Sequence, residues 1–365
     1  MMPRMIEAIR KNRIYVLLVL FILSVNILVF LGKDRQGPAA TAEEAYAPAE
    51  SEGADVSSTR QKGIFDDAEV EERQRKLETL AGDNPHLFLF IASLNLLIMV
   101  IILIGVVLDV YLLSRKARGE AVDIEIMGRP RAKWAISDIL RVGLIFLSSG
   151  YAIVILLGFL SRWLPVLANE NFRMVFDTFA MNIIGIGVIY CFIRKKYGQA
   201  MDSIGLSPGH GFVSVMYGLA GYVALLPVLV VVIMITYVVV KITGYQPPVQ
   251  PIVELFLEEK ADYILWFTVV FAAVFGPVAE EVFFRGFMYS ALRNRFGMLP
   301  SMLVTASIFS VLHAHLVGLL PILALGMLLS YLYERTGSII PSITVHITHN
   351  LVMLLLVFVV RSLGV

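Results

Sequence analysis

The sequence is short of charge. Only 16% of its 365 residues are Asp, Glu, Lys or Arg, against about 25% in soluble domains. Hydrophobic residues make up 58% and the mean hydropathy is +0.78. A water-soluble fold of this length cannot hide that much apolar surface, so lipid must solvate most of it. The formal net charge of +1 offers no electrostatic footprint for nucleic acid. Cysteine is nearly absent: Cys191 alone excludes an intramolecular disulfide and reads as a core residue of an apolar segment. The soluble zinc-protease signature H-E-x-x-H is missing. So is a clear inverted repeat, the mark of many transporters.

What the chain has instead is long apolar runs. A membrane helix needs roughly 18 or more such residues. Nine candidates fit, over Ile14–Leu31, Leu87–Leu113, Val142–Leu160, Met174–Ile193, Val213–Val240, Tyr263–Phe284, Ser301–Val317, Leu319–Tyr333 and Ile339–Val360. The expected fold is therefore all-α, a polytopic membrane helical bundle of about nine spans. The seventh and eighth runs are short, so they are either two short spans or one tightly bent pair. The first run follows a basic start and reads as an uncleaved signal anchor.

Lys and Arg set the expected orientation. Basic residues precede span one (Arg4, Arg10, Lys11, Arg13), fill the segment between spans two and three (from Arg115 to Arg141), and follow spans four (Arg194, Lys195, Lys196) and six (Arg293, Arg295). Nine spans put all of these on one side. That predicts a cytoplasmic N-terminus and an extracytoplasmic C-terminus, and fits a bacterial inner membrane. The acidic Glu254, Glu258, Glu259 and Asp262 fall on the opposite side.

The chain divides into an N-terminal membrane extension, 1–128, and a core, 129–365. The extension carries two spans flanking a polar extracytoplasmic loop, 33–86. Pro38–Ser58 reads as disordered linker. Asp66–Leu80 pairs Glu71 with Arg75 and Glu72 with Lys76 at i,i+4, the pattern of a solvated helix. This loop could bind a protein partner.

A charge at the bilayer centre costs about 2.5–3.5 kcal/mol on the insertion scale, so intramembrane ionisable residues need a reason. Glu280 and Glu281 lie in the sixth span with Arg285 behind them. Glu281 and Arg285 are four apart and share a helix face. Glu280 points about 100° away. The expectation is that Arg285 neutralises Glu281 while Glu280 faces a cavity. A carboxylate in apolar surroundings is poised to accept a proton from water. His313 lies in span seven. His346 and Asn350 lie one turn apart in span nine. These groups could bind a metal through Glu280, His313 and His346, or hold a water and an oxyanion without one. His349 is a candidate neighbour, His315 faces away from His313, and His86 and His210 read as loop residues. Gly205-Leu206-Ser207-Pro208-Gly209 fits the nucleophile elbow G-x-S-x-G. That motif has meaning only on a strand–turn–helix, so here it is a decoy.

E-E-x-x-x-R at Glu280–Arg285, F-x-x-x-H at Phe309–His313 and H-x-x-x-N at His346–Asn350 together resemble the CPBP family. These are CAAX-processing and bacteriocin-processing membrane proteins, also called the Abi family. Weaker likenesses at Lys133–Leu140 and Ser203–Leu206 extend the resemblance over about Trp134 to Val360. The resemblance implies seven family-like core helices and an intramembrane endopeptidase, of either metalloprotease or glutamate-protease type. It implies that Glu280 activates water, that Glu281 and Arg285 flank it, that His313 and His346 complete the site, and that Asn350 donates to an oxyanion. The cofactor would be a divalent metal such as zinc, or none. The partners would be membrane lipid and a membrane-associated or peptide substrate. Two rival readings are a non-catalytic immunity or adaptor protein on the same scaffold, and a proton-coupled transporter.

Overall fold

The computed structural model describes residues 13–35, 85–120, 132–206, 210–245 and 250–363, with isolated positions at 75, 79, 124, 126 and 128. The linker reading of Pro38–Ser58 and residues 207–209 of the elbow motif lie outside the described residues. So does most of Asp66–Leu80. Arg75 and Thr79 within it are helical, and the Thr79 hydroxyl donates to the Arg75 carbonyl.

Among the described residues, and besides two short 3-10 helices, ten helices follow in order: α1 Arg13–Arg35, α2 Pro85–Ala117, α3 Ile136–Leu160, α4 Glu170–Cys191, α5 Gly211–Thr243, the short α6 Pro251–Glu258, α7 Asp262–Phe296, α8 Met298–Leu312, α9 Leu319–Thr336 and α10 Ile340–Leu363. No strand occurs among the described residues. The protein is a polytopic membrane helical bundle; each of the nine predicted runs has a helix under it, though the seventh, Ser301–Val317, outruns α8 into the turn after Leu312. Among the described residues, six helices are long and apolar enough to cross a membrane by length and composition. His86 is a correction: it belongs to the first turn of α2 rather than to a loop. Cys191 is another, since it is exposed on the last turn of α4. An apolar run in a membrane protein has a lipid-facing side as well as a core side, and hydropathy does not distinguish them.

The seventh and eighth runs form an antiparallel hairpin, α8 against α9, closed by a turn over 313–318. With 15 and 18 residues, these helices are about 22 and 27 Å long at 1.5 Å per residue. Both fall short of the roughly 30 Å hydrocarbon core.

Small residues let the helices approach closely. Gly105 of α2 meets Pro227 of α5, Gly218 of α5 meets α10, and Gly326 of α9 meets Ala306 of α8. A Cβ on Gly218 would lie 2.6 Å from Thr344 Cβ and 2.8 Å from the Pro341 carbonyl. Gly218→Val is therefore expected to cost about 1–3 kcal/mol. Gly187→Ala, with nothing within 4 Å of the added carbon, is the control. Unfolding midpoints in detergent check the pair.

The main core surrounds the second half of α7. Trp134, Ile189, Ile204, Phe287, Phe309, Tyr333 and Ile339 pack there. α1 packs on α3, where Asn26 meets the Tyr151 hydroxyl at 3.0 Å.

Charges gather at the two ends. At one end Asp138 accepts from Lys196, Tyr197 and Arg141. There too Arg293 forks onto Glu334 and Asn294 reaches the Ala132 carbonyl at 2.8 Å. The basic segments preceding α3 and ending α4 and α7 thus share one end of the bundle, as the charge pattern requires. At the other end Arg361 donates to the carbonyls of Phe256 and Glu259.

Glu259 turns the chain from α6 into α7. Hydrogen bonds from the Asn171 amide and from the backbone of Ala261 and Lys260 hold its carboxyl below the usual range. A carboxylate depressed in the folded state contributes stability above its unfolded value of about 4.3. That contribution disappears as pH falls through the folded value. Acidification below about pH 4.3 is therefore expected to loosen this corner. Glu259→Gln should flatten the dependence, as read from unfolding midpoints against pH.

Candidate active site

The site begins with a break in α7. Pro277 has no N–H to donate. The residues before it, Phe271–Phe275, widen into a π-turn, and a second π segment runs over Val282–Tyr289. Such turns are frequent at functional sites. In the π pattern the Ala272 carbonyl would be served by the amide of Pro277. The Asn350 side-chain amide serves it instead, at 2.8 Å. The second π segment is anchored by Trp134. Its indole donates to the Phe287 carbonyl at 2.7 Å and stacks on the Phe287 ring at 5.2 Å.

Between the two π-turns lies the carboxylate pair. Glu281 and Arg285 are both 0% exposed and meet at 2.7 Å, the i,i+4 pair that their spacing predicts. Arg285 also donates to the Gly326 carbonyl at 3.2 Å and lies 4.5 Å from the centre of the Phe309 ring. The same Glu281 oxygen receives His346 Nδ1 at 2.8 Å. Glu281 is thus the hub that joins α7 to α10. Its neighbour Glu280 is half-buried, with a side chain 34% exposed. Glu280 Oε2 is itself buried, has no hydrogen-bond partner among the described residues, and faces His346 Nε2 at 3.8 Å.

Phe309 is the plate on which the site is assembled. Besides Arg285, its ring touches His313 at 4.7 Å and His346 at 5.5 Å. His313 lies just past the end of α8, as its C-cap, rather than within the helix. Its Nδ1 faces the Phe309 carbonyl at 2.7 Å. The next residue, Ala314, has φ 50°. A non-glycine residue in the left-handed region costs roughly 1–3 kcal/mol, so the turn carrying His313 is strained. His315 accepts the Gly318 amide within that turn.

These contacts decide where the hydrogens are. His346 Nδ1 faces a carboxylate and His313 Nδ1 faces a carbonyl, so each Nδ1 carries the hydrogen. In the neutral rings both Nε2 atoms are then bare acceptors. This is the tautomer of a metal-ligating histidine with its outer nitrogen held. Among the described residues, however, no three His, Cys, Asp or Glu side chains close into a metal-holding group.

Glu280 stands 18 residues after Asp262 and 16 before Phe296. About 24 Å of helix thus separates it from the basic end. The site therefore lies near the middle of α7. A cavity of about 470 Å³ opens elsewhere, between α3, α4 and α6, and is lined by none of these residues. Phe309 as a shared plate and the Gly326 carbonyl as an acceptor for Arg285 were not foreseen. Phe309 was visible as a motif position, but the Gly326 carbonyl carried no sequence signal at all.

Residues 262–352 match the family model described as Rce1-like, type II CAAX prenyl endopeptidase Rce1-like. A Bacillus subtilis (strain 168) protein named "Putative membrane peptidase YdiL" is 32% identical over 82 residues, which are 22% of this chain and 34% of that protein. The chain thus spans about a third of the length of the curated relative it matches. No solved structure matches it significantly. The matched segment carries all six predicted site side chains, on α7, on α10 and at the C-cap of α8, around one buried Glu281–Arg285–His346 contact. Over that segment the chain resembles the CAAX-protease-like membrane proteins of the CPBP family.

Proposed function

We propose that this protein is an intramembrane endopeptidase in which Glu280 activates the attacking water. One observation carries the reading: the unpartnered Glu280 Oε2, 3.8 Å from the bare Nε2 of His346. Two acceptors at that spacing suit a water that donates one hydrogen to each. Its lone pair then points away from both, towards a substrate carbonyl.

The steps follow from the groups present. Glu280 takes a proton as the water oxygen bonds to the scissile carbon, and the carbonyl oxygen becomes an oxyanion. Hydrogen-bond donors stabilise that oxyanion. Glu280 returns the proton to the amide nitrogen as the C–N bond breaks. Glu281 and Arg285 hold the His346 ring in its tautomer throughout. The Asn350 amide has one hydrogen on Ala272 and a second for substrate. The donor chemistry also suits a divalent metal such as zinc. Glu280, His313 and His346 would hold it only by drawing closer together than they stand here, and it would then acidify water and polarise the carbonyl.

The substrate class is a membrane-associated peptide, reached from lipid. The site would work in a bacterial inner membrane with the N-terminus cytoplasmic and the C-terminus extracytoplasmic. The polar loop 33–86 would be the surface for a protein partner.

The test uses the full chain in proteoliposomes with a quenched-peptide library, with and without a chelator, alongside metal analysis of the purified protein. Cleavage is the expected result. Loss of cleavage with chelator, restored by zinc, selects the metal version. A well-folded wild type that cleaves no peptide in the library sinks the proposal.

A further inference from the structure

The cavity of about 470 Å³ between α3, α4 and α6 lies outside the candidate active site and has a chemistry of its own. α4 faces it with Glu170, Arg173, Met174 and Asp177, positions i, i+3, i+4 and i+7 of one helical stripe. α6 faces it with Pro251, Glu254, Leu255 and Glu258, at the same spacing. Val154 and Leu157 of α3 supply an apolar wall. A helix stripe that turns towards its neighbours is ordinarily apolar. Here two such stripes bring the carboxyls of Glu170, Asp177, Glu254 and Glu258 to one hollow.

Among the described residues one cation lines the hollow, Arg173. It is held at the start of its own helix, 3.6 Å from Glu170 and donating to the Leu167 carbonyl at 3.4 Å. Glu254 and Glu258 stand exposed one turn apart on α6, a like-charge pair that weakens a helix unless a cation joins it. Asp177 stands deeper. It lies seven residues, about 10 Å, into a helix long and apolar enough to cross a membrane. Its Oδ1 is buried and has no hydrogen-bond partner among the described residues. An ionisable side chain in such a place calls for a partner. Ionised or neutral, its carboxyl offers an acceptor oxygen to a cationic donor.

The shape of the hollow selects among cations. Its volume is in the range of small-molecule sites, about 300–1,000 Å³. A metal ion needs carboxylates that converge, and among the described residues no three acidic or histidine side chains do. A metal ion also leaves the apolar side chains of Leu157, Met174 and Leu255 without a role. A linear polyamine spaces its ammonium groups along a methylene chain, so it matches both the separated carboxyls and the apolar wall.

We infer that this cavity is a binding site for a small linear polyamine. Asp177 receives one ammonium at the inner end, and Glu254 and Glu258 receive others at the rim. The methylene chain between them lies along Leu157, Met174 and Leu255. The inference goes beyond the endopeptidase reading and does not depend on it, since none of the proposed catalytic residues lines the cavity.

The probe is spermidine, a linear triamine, added to the full chain in detergent micelles, with binding read by equilibrium dialysis. The wild type is expected to bind it saturably, and its unfolding midpoint should rise with spermidine concentration. Asp177→Leu should weaken binding by about 10–100-fold, the effect of removing a hydrogen bond to a charged group. Without spermidine its midpoint should hold or rise, because an unpaired buried carboxyl is gone. The double variant Glu254→Gln with Glu258→Gln tests the rim at two exposed positions. It should also weaken binding, and it should flatten the dependence on salt.

Absence of saturable binding overturns the inference. So does wild-type affinity in Asp177→Leu or in the rim variant. Magnesium chloride that displaces spermidine at matched ionic strength would make this a metal site and overturn it. Tighter binding of a trilysine peptide than of spermidine would assign the cavity to a peptide and overturn it as well. Glu280→Gln should bind spermidine as the wild type does, whatever it cleaves, so a failure here and a failure of the endopeptidase reading are told apart.

Discussion

Replacing Glu280 with glutamine is expected to abolish cleavage while leaving the protein folded and inserted. The amide is nearly the same size and can sit at the same place against His346. It cannot take a proton from water. Loss of a positioned general base costs about 10²–10⁴ in rate. If the same carboxylate returns the proton to the leaving amine, the loss falls at the upper end. The fold should hardly respond, because Glu280 Oε2 has no partner to lose among the described residues. The measurement is kcat on a cleaved peptide, with the unfolding midpoint taken on the same preparation. A glutamine variant within about threefold of wild type, far short of the loss expected for a missing base, would rule out the assignment. Glu280→Asp is the informative companion. It keeps the carboxylate but withdraws it by one methylene, so it should be slow yet above the glutamine level.

The second large effect is on stability. Arg285→Met should destabilise the protein by about 3–5 kcal/mol, because it leaves a fully buried Glu281 carboxylate without its arginine. The pair is 0% exposed on both sides, so water cannot compensate. His346 shares the same Glu281 oxygen, and it would have to become charged or let the ring turn. Activity should therefore fall with stability. The companion Arg285→Met with Glu281→Gln removes both charges. It should recover a good part of the stability and little of the activity, since the glutamine oxygen is a weaker hold on His346 Nδ1. Unfolding midpoints and kcat for the two single variants and the double variant give the coupling energy directly. A single Arg285→Met variant as stable as wild type would mean that Glu281 is neutral in the folded protein.

Much of this is open to reading before any coordinates. Hydropathy locates every long helix, because a membrane helix must be apolar over its whole length whatever it packs against. The Glu281–Arg285 pair is legible because i,i+4 neighbours on a helix meet regardless of the rest of the fold. The common end of the three basic segments follows from counting spans. Where the reading fails, the missing information is a choice between faces or between partners. Cys191 sits in an apolar run, and nothing in the run says whether lipid or protein covers it. His313 reads as part of a helix because the apolar pattern continues through the turn at 313–318.

The deepest difference concerns hydrogens. From the residues alone, His313, His346, His349 and Asn350 are four interchangeable donors around a carboxylate. In the fold, the Phe309 carbonyl, Glu281 and the Ala272 carbonyl each claim a hydrogen from one of them, and His349 Nδ1 is left without a claimant among the described residues. By itself the sequence determined that this is a membrane bundle of about nine helices with an ionised pair and a spare carboxylate in one of them. Those properties depend on composition and on spacing along a single helix. Only the tertiary structure decided which nitrogen is bare, which hydrogen is held and how far the site lies from either end. Each of those depends on how separate helices meet, and a π-turn or a short hairpin can shift them without changing the hydropathy pattern.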